Sequence, residues 1–153
     1  MRFALVTSAV LLAGLLPAHA TIGFSCDAQD AGAKFSVGGA YGTSLGSGLA
    51  NFAADIEIRR EAVPAGLRKL RLDRSDVSQH WFNGRELKLA ARWQPPEGDP
   101  FGEIILTIQT RRGRAEESPY RGRYELQLNL PPVPPSSEQQ RLIVRGTVTC
   151  GTG

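Results

Sequence analysis

Histidine, cysteine and long apolar runs are nearly missing from this chain, and each shortage closes off a class of chemistry. Of two histidines, one (His19) falls in the N-terminal leader, so only His80 serves the rest of the chain. One imidazole cannot assemble a histidine metal site or a two-histidine acid–base mechanism within one chain. The two cysteines, Cys26 and Cys150, do not form a CxxC, which argues against a redox-active pair. The G-x-S-x-G string at Gly42-Thr43-Ser44-Leu45-Gly46 leads into a strand pattern instead of a helix, so it does not read as a nucleophile elbow for His80 to activate. The glycine-rich stretch 38–48 lacks both a following Gly-Lys-Ser/Thr and the third glycine of a dinucleotide fingerprint. Asp27 and Asp30 lack the spacing of a calcium loop and read as turn residues. The acid pairs Asp73/Asp76 and Glu116/Glu117 lie in charged loops and read as solvated. We therefore expect no enzyme, no metal and no cofactor.

The one apolar run, Phe3 to Leu16, follows Arg2 and precedes Pro17 and the small-x-small triplet Ala18-His19-Ala20. It is shorter than the ~20 residues that span a bilayer. Residues 1–20 therefore read as a secretory signal peptide cleaved after Ala20. The remainder, 21–153, has 153 − 20 = 133 residues, the size of one domain with its own core. Its formal charge is +2 once Arg2 is removed from the chain's +3. Acids are interspersed with the fourteen arginines and three lysines, so no nucleic-acid partner is expected. Export implies an oxidising compartment, periplasmic or extracellular. A Cys26–Cys150 disulfide is the expected state, closing a loop of 150 − 26 = 124 positions.

What fills the chain is period-2 alternation. Ile22, Phe24 and Cys26, then Phe35 and Val37, then Phe52, Ala54, Ile56 and Ile58 each mark one apolar face. Leu70 and Leu72 continue it weakly, and Ser75 is positioned to cap a single helical turn. Leu87 to Trp93, Ile104 to Ile108, Tyr124 to Leu130 and Leu142 to Cys150 complete the series. Asn83-Gly84 signals a type I′ hairpin, and the prolines at 131–135 form a connector that cannot join a ladder. The fold expected is all-β: a single-domain antiparallel sandwich of immunoglobulin-like type, or a small barrel, of about seven to eight strands. A transmembrane barrel is disfavoured by the polyproline connector and the missing aromatic girdles.

Two surfaces offer themselves for binding. Tyr41 and Leu45 sit on the glycine-rich stretch, and His80, Trp81 and Phe82 precede the hairpin turn; together they suit contact with a protein partner. The leading expectation is a non-enzymatic binding or accessory protein of the bacterial cell envelope, meeting another envelope or secreted protein through loops or an edge strand. The alternative uses the arginines. Arg59, Arg60 and Arg71 lie in one hairpin and Arg111, Arg112 and Arg114 in another. If the two hairpins share an edge, they form a cationic surface for anionic glycans or lipid head groups.

Overall fold

The computed structural model describes residues 21–42, 48–96, 102–115, 117–132 and 138–153. Residues 1–20, read above as a leader, and Leu45 lie outside them. The described chain forms nine strands: β1 (Thr21–Gln29), β2 (Ala33–Gly42), β3 (Leu49–Ile58), β4 (Lys69–Asp73), β5 (Val77–Phe82), β6 (Glu86–Trp93), β7 (Glu103–Arg112), β8 (Tyr120–Leu130) and β9 (Gln140–Thr152). They form one sheet in the order β4-β3-β2-β1-β9-β8-β7-β6-β5, with every neighbouring pair antiparallel.

This order has a geometric consequence. Following the antiparallel pairs around the sheet leaves β4 and β5 running in the same direction, joined by a single 3-10 turn, Arg74–Asp76. They are one kinked course whose first half pairs with β3 and whose second half pairs with β6. The architecture is thus an eight-course up-and-down barrel, closed by β1 on β9 and left open along the kink. Of the two architectures expected, the barrel is the one formed, and the extra strand comes from this interruption. Asp73, not Ser75, caps the turn. Its carboxylate accepts from the Ser75 N–H at 2.7 Å, while Asp76 accepts from the Asp73 N–H at 2.8 Å.

Alternating burial explains the closure. Phe35, Val37, Ile56, Leu72, Leu89, Leu106, Leu126, Val144 and Cys150 point inward and are buried, while the outward positions between them are mostly polar or charged. This is the reverse of a lipid-facing barrel, whose exterior is apolar. No described helix is long and apolar enough to cross a membrane. The glycine-rich stretch is not wholly loop: β2 runs through it to Gly42, with a bulge at Gly38/Ala40. Gly39 is required there because a Cβ would press on the Phe24 ring at 2.8 Å. At the 83–85 hairpin, positive φ falls on Gly84 alone (+80°), so the tip is not the type I′ turn expected of Asn-Gly. Asn83 serves through its side chain, whose Oδ1 accepts from the N–H groups of Arg85 and Glu86.

Cys26 and Cys150 lie directly opposite one another in the β1–β9 ladder and are disulfide-bonded, fully buried. At the far rim, the β1–β2 turn is locked to the barrel interior. The Tyr124 hydroxyl donates to Asp30 Oδ2 at 2.6 Å, and Asp30 Oδ1 accepts from the Gly32 and Ala33 N–H groups. Burial pushes the Asp30 pKa up. The Tyr124 bond, the two amides and the nearby Arg60 charge outweigh it, holding the carboxyl below its ordinary value. A depressed folded pKa gives stability that is present above about pH 5 and lost as pH falls through the folded value. We predict that acid from pH 5 to pH 3 lowers the urea midpoint more for the native chain than for Asp30→Asn. Equal losses would show that Asp30 is not linked to folding.

Candidate functional site

The open seam lies where the kinked course leaves β3 for β6, and it sets the site. Beyond Asp73, β3 has no strand partner on that side, and β5 has a hydrogen-bonded neighbour only in β6. Arg74 partly replaces the missing strand: its Nε donates to the Leu49 carbonyl at 2.8 Å. On β5, the Asn83 N–H donates to the Glu86 carbonyl at 3.2 Å, marking 83/86 as a hydrogen-bonded pair. Antiparallel ladders alternate, so the backbone groups of Trp81 face β6 while those of His80 and Phe82 face the seam. The barrel therefore presents a short run of unpaired donors and acceptors there.

Side chains from distant parts of the sequence line this seam from inside. The Tyr41 ring stacks on Phe24 (5.0 Å between centroids) and on Phe82 (5.1 Å), and tilts against His80 at 5.6 Å. Phe82 continues to Tyr120 at 6.1 Å, and the Arg112 guanidinium lies 5.0 Å from the Tyr120 ring centre. Tyr41 is thus packed in the core, not displayed on a protruding loop as its sequence neighbours suggest; the strand continues past the bulge and turns it inward. Its hydroxyl and the Arg112 Nε are buried without hydrogen-bond partners. Burial raises the Tyr41 pKa to about 12. Burial, then the nearby Arg74 charge, lowers that of His80, which favours the neutral imidazole. His80 and Phe82 are half-buried, and Trp81 points outward with 56% of its surface exposed, the one exposed large hydrophobic among the described residues.

The arginines do not form one surface. Arg59 and Arg60 follow β3 and Arg114 follows β7, and the alternating strand directions place those connections at opposite rims. Arg71 is mid-strand opposite Asp55. Arg111 pairs with Glu86 at 3.2 Å, Arg59 with Glu57 at 3.4 Å, and Arg112 turns inward. The shared edge on which the arginine-hairpin surface depends does not exist. No group of three or more His, Cys, Asp or Glu that could hold a metal occurs among the described residues.

The fold and site together define a class, a disulfide-closed up-and-down barrel with one unpaired seam. No family model, curated protein or solved structure matches the chain.

Proposed function

We propose that the protein is an exported, non-enzymatic binding module of the cell envelope, periplasmic or secreted, that takes a protein partner along the β5 edge. The observation carrying this reading is the exposed Trp81 on the strand whose other side has no neighbour. An extended segment of the partner adds to the unpaired His80 and Phe82 backbone groups, and Trp81 flanks it on the outer face. The disulfide fits an oxidising compartment.

A photo-crosslinking residue in place of Gln79, which is outward-facing on β5, tests this in an envelope extract. We predict a discrete adduct that disappears when Trp81→Asp is added, and none from the same probe at Thr149, exposed on β9 across the barrel. Equal adducts at both positions, or none at Gln79, would sink the proposal.

A further inference from the structure

The outer face of β6 to β9 concentrates charge that the chain as a whole does not show. Seven cations point outward there, one lysine (Lys88) and six arginines, against three acids, Glu86, Glu103 and Glu125. The difference, 7 − 3 = +4, exceeds the +3 of the entire chain. The outer face of β1 to β4 has the opposite sign, with Lys34, Lys69 and Arg71 against Asp27, Asp55, Glu57 and Asp73. Glu86 holds Lys88 and Arg111, Glu103 holds Arg92, and Glu125 holds Arg145. Arg121 and Arg123 make no ion pair among the described residues.

Strand register orders part of this face into a line. Trp81, Lys88, Gln109, Arg123 and Thr147 stand opposite one another on five successive strands. Two shallow grooves follow the line: one of about 550 Å³ from β5 to β7, and one of about 340 Å³ from β7 to β9. Both are bordered by Thr107 and Gln109, so they form one track.

We infer that this track binds an anionic polysaccharide. Neighbouring strands are ~4.8 Å apart, which sets Lys88 and Arg123 roughly 10 Å apart with a neutral amide between them. Cations at every second step suit a linear polyanion whose acidic groups recur on every sugar or every second sugar. Gln109 and Thr147 supply hydrogen bonds to hydroxyls, and the Trp81 ring gives an apolar platform at one end. A lipid head group would call for a single concave cluster of cations instead. The track shares Trp81 with the β5 edge but does not use the unpaired β5 backbone, and Lys88 and Arg123 test it apart from any protein docked there.

Binding to polygalacturonate and dextran sulfate by the full mature protein tests it, with uncharged dextran, anionic phosphatidylglycerol vesicles and duplex DNA as comparisons. At about 50 mM salt the expected result is binding to the two acidic polysaccharides and not to dextran, weakening about tenfold or more by about 300 mM. Lys88→Gln with Arg123→Gln should reduce the affinity about tenfold, while Arg59→Gln with Arg60→Gln at the rim should change it less than twofold. All four positions are exposed, and a cooperative thermal melt confirms that each variant is folded. Failure to bind either polysaccharide, binding only to vesicles or DNA, or equal losses from both pairs of substitutions would overturn the inference.

Discussion

Replacing Cys26 and Cys150 together with alanine should lower the stability of the β-domain by about 4 kcal/mol. At an m-value of about 2 kcal/mol per molar urea, the midpoint should fall by roughly 2 M. The bond spans 124 positions, and in the chain-entropy model a link of that length removes much freedom from the unfolded chain. Its place in the barrel adds to this. The β1–β9 ladder holds only four register pairs, Phe24 to Asp27, whereas β8 and β9 share eleven. It is the seam through which the first and last courses meet, and the disulfide sits within it. A reductant should act slowly on the folded protein, because both sulfurs are shielded from solvent. A midpoint unchanged in the double variant would show that backbone pairing alone closes the barrel.

The second large effect is expected from Gly146→Ala, at about 3 kcal/mol destabilising. The cause is local crowding, since the backbone there is ordinary extended strand. A Cβ at Gly146 would overlap Asp30 Oδ2 and the Tyr124 ring, the two partners of the rim lock. Tyr124 cannot retreat inward, because its ring packs edge-on against Phe35 at 4.9 Å and is itself buried. Asp30 cannot move without releasing the turn amides of Gly32 and Ala33. Tyr124→Phe should cost less, about 1 kcal/mol, since it deletes one hydrogen bond and leaves packing intact. If Gly146→Ala were as mild as Tyr124→Phe by urea denaturation, the crowding account would fail. Gly151, where a Cβ would meet nothing, is the control position.

The strands were legible because alternation is a local property. Phe52, Ala54, Ile56 and Ile58 read as one face, and they are buried as one face. The same holds for Tyr124 to Leu130 and for Val144, Val148 and Cys150. The kink was not legible. Residues 69–82 hold two short strands that share a direction but not a neighbour, and nothing local records which strand each one pairs with. The site was half legible for the same reason. Tyr41, His80 and Phe82 attract notice as aromatics near turns, but their stacking depends on the barrel bringing β2 against β5 from the inside. Leu45 lies outside the described residues.

By itself, then, the sequence determined the all-β class, the inward and outward faces of most strands, and the pairing of its only two cysteines. These follow from period-2 patterning and from counting. The tertiary structure alone decided that the strands close into a barrel, that the closure fails at the β4–β5 kink, and that the two arginine hairpins stand at opposite rims. It also decided that cations scattered among acids along the chain gather on one wall. Position along a strand is written in the sequence, whereas adjacency between strands arises only from pairing across it.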